Sequence, residues 1–293
     1  MREKEANEMT EKKTGLVMEG GAMRGMFTCG VIDVFMENGI RFDGAIGVSA
    51  GAAFGCNYKS RQIGRAIRYN KNYCRDPRFA GWKVFLKTGD IYGAKFCYET
   101  LPNELDIFDV ETYAANSMEF WVVCTDAETG KAVYHSCPRG DAEDILWMRA
   151  SASMPIVSRV VEIDGKKLLD GGVADSIPLE YFESIGYNRN VVILTQPDGY
   201  RKQKNKLIPL AKLTLKGYPA MIGAMADRHL RYNENLDYIK LQELSGEAFV
   251  IRPPEALEIG SIEKDPEELE RVYQIGRDTG YRYLEQVKNY LDC

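Results

Sequence analysis

The segment Gly47-Val48-Ser49-Ala50-Gly51 constrains the fold of this chain more than any other. It joins an apolar run, Asp43 to Val48, to a string of small residues that begins at Ala50. A GxSxG segment between a strand and a helix demands a sharp turn. The serine sits in a strained backbone conformation, and the flanking glycines remove side chains where the strand and helix backbones would collide. In a chain with 27 glycines the pentapeptide alone is a weak signal, so its context decides. Upstream, Gly15 to Glu19 is a short apolar run that ends in Gly20-Gly21, a strand feeding a glycine turn. Residues 25 to 38 carry Val31, Ile32, Phe35 and Met36 at helical spacing, with Gly39 as a stop. Strand, helix, strand, helix within the first sixty residues predicts an α/β fold with a parallel sheet flanked by helices.

The rest of the chain is read more coarsely. Residues 60 to 76 are basic and helical in pattern, and 77 to 116 hold several loops. Glu119 to Thr125 is a strong strand, expected to pair with Ala132 to Cys137 across the turn at Ala127 to Lys131. Asp141 to Ala150 reads as a helix. Val157 to Ile163 and Lys166 to Leu169 flank Asp164-Gly165, a hairpin signal. Asn190 to Thr195 is a buried-type strand. From 207 to 244 the pattern is helical, with a short strand at Ala248 to Arg252. The last helix has Asp265 as its cap, Pro266 at its first position and Glu268 placed for a capping box. One apolar stripe runs along it from Leu269 to Leu291. We expect a loose tail at 1–13, a core at 14–200 and a mainly helical part at 201–293 packed on the same domain.

A nucleophilic serine needs a base and a site for the oxyanion. The two histidines are poorly placed: His135 lies mid-strand, and His229 lies on a polar helical stretch beside Asp227 and Arg228. A carboxylate is the other option. In Leu168-Leu169-Asp170-Gly171-Gly172 an apolar strand ends in an aspartate followed by two glycines. That is either an ordinary Asp-Gly turn or a carboxylate brought against whatever lies opposite. Glu19-Gly20-Gly21-Ala22-Met23-Arg24-Gly25 opens a helix, and successive backbone N–H groups there can cradle an anion, with Arg24 adding a positive charge. Gly20-x-Ala22-x-x-Gly25 is one alanine short of a dinucleotide fingerprint. The second strand ends in Val48-Ser49 without the acidic residue that a ribose would need, so no nucleotide cofactor is expected.

Composition narrows the function further. The chain has 38 Lys+Arg against 43 Asp+Glu, a net charge of −5, which argues against nucleic acid as a partner. Two histidines and seven cysteines with no CxxC pair argue against a metal centre or a disulfide framework. Residues 1 to 13 lack the apolar core of a signal peptide, and no run reaches the ~18 apolar residues of a membrane span, so a cytoplasmic protein is expected. Residues 201–217 hold Arg201, Lys202, Lys204, Lys206, Lys212 and Lys216 and no acidic residue, interleaved with leucines. This stretch is either a solvated basic helix face or a peripheral contact with anionic membranes.

Taken together, these blocks resemble the patatin-like phospholipases. The resemblance rests on Gly20 to Gly25, on the elbow Gly47 to Gly51, on Ala150-Ser-Ala-Ser-Met-Pro155 as an ASxxxP block, and on Asp170-Gly171-Gly172 as a DG[AG] block, all in the family's order. Residues after 200 carry none of its motifs. The resemblance implies a three-layer α/β sandwich with a mostly parallel sheet and cleavage of lipid or other acyl esters without a cofactor or metal. It implies Ser49 as nucleophile, Asp170 as base, and the amides of Gly20, Gly21, Ala22, Met23 and Gly25, helped by Arg24, as the oxyanion loop. One position departs from the family, which usually has glycine where this chain has Ala22. If that residue must be left-handed, the site is narrowed or shifted, and the alternative is a silent acyl-binding protein of the same fold.

Overall fold

A computed structural model of the chain describes residues 13–292. The expected tail at 1–13 therefore lies outside the described residues, apart from Lys13, which opens the first strand. The elements run β1 (Lys13–Met18), α1 (Gly25–Glu37), β2 (Gly44–Val48), α2 (Ala50–Lys59), α3 (Arg65–Tyr73), α4 (Trp82–Thr88), a π-helical segment at Phe96–Leu105, and α5 (Val110–Ala115). Next come β3 (Glu119–Asp126), β4 (Ala132–Ser136), α6 (Ala142–Ser151), β5 (Val161–Ile163), β6 (Lys166–Asp170), α7 (Leu179–Ser184) and β7 (Tyr187–Ile193). The chain closes with α8 (Ile208–Thr214), α9 (Pro219–Ser245), β8 (Ala248–Ile251) and α10 (Pro266–Leu291).

The strands form one sheet in the order β5-β6-β3-β2-β1-β7-β8, with β4 also paired to β3. β3, β2, β1, β7 and β8 are mutually parallel, while β4 and β6 run antiparallel to β3. Alternation along the parallel strands divides the core. Leu16, Met18, Phe120, Val122, Val191 and Ile193 pack into the cluster that holds α1, α2, α6 and α10. Val17, Ile46, Val48, Val123 and Val192 face the other way, onto α7 and α9. Both faces are covered, which is why these strands read as unbroken apolar runs. The result is the expected three-layer α/β sandwich. Among the described residues no helix is long and apolar enough to cross a membrane.

The C-terminal region completes this sandwich. β8 extends the sheet beside β7, and α10 crosses α1 closely enough that a Cβ on Gly30 would lie 2.2 Å from the Tyr273 carbonyl oxygen. The same crossing brings Gly276 against Phe27, so both helices give up a side chain to meet.

Two local expectations need correction. The hairpin strand before Asp164 is only three residues long, because Val157 and Arg159 are tied elsewhere: Ile91 N–H donates to the Val157 carbonyl at 2.8 Å, and Arg159 N–H to Asp90 at 2.9 Å. Asp265 caps α10 by accepting from Glu267 N–H, but the capping box does not form. Asp265 N–H already donates to Glu263 at 2.8 Å, and Glu268 takes a bond from Arg271 instead.

Candidate active site

β3 acts as the ruler that assembles the site. Its residues Glu119 to Val123 pair with β2, and the next three, Cys124 to Asp126, pair with β6. β4 overlaps both stretches, so it must line the opposite edge. Val48 is thus opposite Val123 and Asp170 is opposite Cys124, one residue further along. Ser49 follows Val48, so register alone brings the serine and the aspartate together across 121 residues of sequence.

Ser49 has φ 55° and ψ −116°, a conformation outside the usual regions for a side-chain-bearing residue. The flanking glycines make this possible: a Cβ on Gly47 would lie 2.3 Å from the Gly51 carbonyl oxygen, and one on Gly51 would lie 2.3 Å from that of Met18. Ser49 N–H donates to Ser151 Oγ at 2.9 Å, and Ser151 Oγ in turn donates to the Val123 carbonyl at 2.6 Å. Ser151, at the end of α6 and fully buried, thus pins the strained residue to β3.

Ser49 Oγ–H donates to Asp170 Oδ2 at 2.7 Å, and Asp170 Oδ1 accepts from Gly172 N–H at 2.8 Å. The Asp170 backbone is held by Ser153 O and by Thr125 Oγ. Burial raises the Asp170 carboxyl above its ordinary range, against the opposing pull of Arg228, the Ser49 hydroxyl, the Gly172 amide and Lys202. A carboxylate held this way is a stronger base than one in water.

The loop at 20–25 packs directly on the elbow. A Cβ on Gly20 would meet Ser49 Cβ at 2.9 Å, and one on Gly25 would meet Ala50 Cβ at 2.9 Å. Ala22 to Arg24 form a single 3₁₀ turn. Ala22 has φ 48°, so this position is left-handed and an alanine occupies it. Among the described residues the N–H groups of Gly21, Ala22 and Met23 have no protein acceptor, which leaves them available to an anion.

Beside Ser49 opens a cleft with a volume of about 120 Å³. Its walls are mostly apolar and include Ala22, Met23, Phe54, Tyr69, Leu101 and Met148. Arg65, also on the wall, is neutralised by Asp106 at 3.3 Å. This apolar lining suits an acyl chain.

Neither histidine touches the pair. His135 stacks on Trp147 at 3.8 Å, and His229 Nδ1 contacts the Ala226 carbonyl at 3.0 Å. His135 does lie with Cys137 and Asp144 in a group whose ligand-type atoms fall within 4.8 Å of one another. The Asp144 carboxylate there accepts the amides of Arg139 and Gly140 at 2.6 Å each, which accounts for it as a turn-holding group.

Sequence reasoning missed two contributions. Ser151 and Ser153 are indistinguishable in the ASxxxP block, and only the meeting of α6 with the elbow singles out Ser151. Lys202 belongs to the basic stretch at 201–217 but turns inward: its ammonium lies over the Tyr232 ring at 4.4 Å, close to Arg228 and Asp170.

The profile of the patatin-like phospholipase family matches residues 16–183, so the chain belongs to that family. The membership supports a lipid-hydrolase function in general terms. A second profile, described only as a domain of unknown function (DUF6363), matches residues 218–292. The chain is 27% identical over 291 residues to the uncharacterized protein YjjU of Escherichia coli, covering 95% of this chain and 79% of that one. It is 25% identical over 313 residues to the lysophospholipase nte1 of Aspergillus terreus, covering 97% of this chain but only 19% of that protein. The crystal structure of VipD from Legionella pneumophila overlaps 94% of this chain and 67% of its own at TM-score 0.48 and 12% identity.

Proposed function

We propose that this chain is a serine acyl hydrolase that cleaves lipid ester bonds through Ser49 and Asp170. The observation that carries this reading is the 2.7 Å hydrogen bond from Ser49 Oγ to Asp170 Oδ2 at the edge of the apolar cleft. Ser49 Oγ attacks the ester carbonyl carbon while its proton passes to Asp170 Oδ2. The negative charge that develops on the carbonyl oxygen meets the free N–H groups of Gly21, Ala22 and Met23, with Arg24 nearby. Collapse breaks the ester C–O bond, and Asp170 returns the proton to the departing alcohol. Water then attacks the acyl-serine, Asp170 takes its proton, and the fatty acid leaves as Ser49 regains its own. The chain spans about a fifth of the fungal lysophospholipases it resembles, and the activity in their name supports this reading without extending to their other parts.

The test is hydrolysis of a short acyl ester by the wild type and by Ser49→Ala. Full hydrolysis by the variant would sink the mechanism.

Ala22 favours a second reading, an acyl-binding protein that no longer turns over, because an alanine held left-handed puts backbone strain and a methyl group in the oxyanion loop. That reading predicts labelling of Ser49 by a serine-reactive phosphonate with no ester hydrolysis.

We also propose that residues 201–217 touch anionic membrane surfaces. Leu207, Leu210 and Leu213 are exposed at or on α8, and Lys204, Lys206, Lys212 and Lys216 around them are exposed and form no ion pair among the described residues. Replacing those four lysines by glutamine should weaken binding to vesicles containing phosphatidylserine; unchanged binding would rule the contact out.

A further inference from the structure

Three cations gather near Ser49 without an anion of their own. Arg24 lies in the loop after β1, and its terminal nitrogen packs against Gly21, 3.3 Å from where a Cβ would stand. Arg228 lies on α9 with a terminal nitrogen 3.0 Å from the corresponding point on Gly172. Lys202 is held by a backbone clip to Asn233, whose side chain accepts Lys202 N–H at 2.9 Å and donates to its carbonyl at 3.2 Å. None of the three forms an ion pair among the described residues, and the Nε atoms of Arg24 and Arg228 are buried with no hydrogen-bond partner.

All three are half-buried, and cations drawn partly out of water with no ion pair are costly, so a site that keeps three together favours an anionic guest. The two carboxylates nearby, Glu19 and Asp170, offset part of this charge but are one fewer than the cations and are held by neutral donors. Glu19 accepts Thr195 N–H and Tyr232 O–H at 2.6 Å each, and Asp170 accepts Ser49 Oγ and Gly172 N–H. The cations also lie apart from the acyl cleft, since none of them is on its wall. An ester bound at Ser49 therefore meets apolar side chains with its acyl arm and positive charge with its alcohol arm.

We infer that Arg24, Lys202 and Arg228 form an anion subsite that takes a phosphate on the alcohol side of the scissile ester. This deepens the proposed hydrolase reading and rests on it. Two of the three residues lie beyond the part of the chain matched by the patatin-like profile, so the C-terminal region supplies head-group selection to a site whose reacting groups lie elsewhere. Phosphate suits the site because guanidinium forks and an ammonium bind its oxygens by charge-assisted bonds.

The test compares 1-oleoyl-lysophosphatidate with 1-oleoylglycerol in the same neutral detergent micelles. Wild type should favour the phosphate ester in kcat/KM by at least ~30-fold, and Arg228→Gln with Lys202→Met should bring the ratio to within ~3-fold of one. Lys202→Met alone should cut it by ~10-fold; only the backbone of that residue is clipped to Asn233, so folding does not depend on the ammonium. A wild-type ratio near one, or a ratio unmoved in the variants, overturns the subsite. Inorganic phosphate should compete with oleoylglycerol hydrolysis; competition without a preference for the phosphate ester would mean that free phosphate is the occupant, and would also overturn it. If wild type cleaves neither ester, the hydrolase reading fails. The subsite is then judged by calorimetry with Ser49→Ala, which must bind lysophosphatidate ~10-fold or more tighter than oleoylglycerol.

A pH profile adds an independent readout. Burial and the neighbouring Arg228 and Arg24 bring the Lys202 ammonium down from 10.5 to about 8, while Glu19 and Asp170 pull the other way and the Tyr232 ring lies beneath it. Above that pH the cation is lost. The preference for the phosphate ester should therefore decline as pH rises through about 8 in the wild type and persist in Lys202→Arg. A decline that is equal in both proteins would count against Lys202.

Discussion

The motif-bearing part of the chain, up to β7, and the part after residue 200 contribute to the site in opposite ways. The first supplies every group that would react: Ser49, Asp170 and the loop at 20–25. It does so through strand register, glycine contacts and backbone amides, features that demand particular residues at particular spacings. The second supplies no reacting group. It closes the sheet with β8, braces α1 with α10, brings Lys202 and Arg228 towards Asp170, and sets the Tyr232 hydroxyl on Glu19. Chemistry is thus fixed by backbone geometry in one region, and the charge around it is set by long side chains in the other. Long side chains can be exchanged with little cost to the fold, so the second region is where related chains can differ in what they accept.

The largest expected effects break the first region. Asp170→Asn keeps the shape but cannot take the Ser49 proton, and ester hydrolysis should fall at least ~10³-fold, as should Ser49→Ala. His135→Ala and His229→Ala should each stay within a few-fold of wild type in the same assay. A loss of ~10³ at either would restore a histidine base and overturn the dyad. Next comes Ser151→Ala, which leaves Ser49 N–H without its acceptor. We expect a ~10-fold slower phosphonate labelling of Ser49 together with ~1–3 kcal/mol lower stability by denaturant unfolding.

The second region is tested by the acid side of the pH profile. Asp170 must be ionised to act as a base, so kcat/KM should fall as pH falls through its raised value. Arg228 and Lys202 favour the ionised form, so removing either should move that fall to higher pH. A fall that shifts lower, or does not shift, would show that the C-terminal cations do not reach the carboxylate. The smallest effect belongs to Ala22→Gly. Relief of the left-handed alanine should raise stability by ~1 kcal/mol, measured by thermal or denaturant unfolding, with hydrolysis retained.

The same division explains what was legible in the sequence. Gly47 to Gly51, Gly20 to Gly25 and Asp170 to Gly172 could be read because close backbone approach leaves few alternatives to glycine. The sheet was legible because strands buried on both faces leave long apolar runs. Lys202 was read as one of six surface charges, since nothing local distinguishes a lysine that turns inward from its neighbours. Arg228 was read only as part of a polar helix face. Ser151 was hidden for a different reason: its role depends on α6 ending over a turn 102 residues away. The π-helical segment at Phe96–Leu105, with Pro102 inside it, left no periodic pattern to follow.

The central claim is that Ser49 is the nucleophile. Its most direct test is to treat the protein with a serine-reactive phosphonate, locate the adduct by peptide mass spectrometry and follow lipid-ester hydrolysis in parallel. The account predicts one adduct, on Ser49, formed at the rate at which hydrolysis is lost, and none in Ser49→Ala. An adduct on another residue, or hydrolysis that survives complete labelling of Ser49, would contradict it.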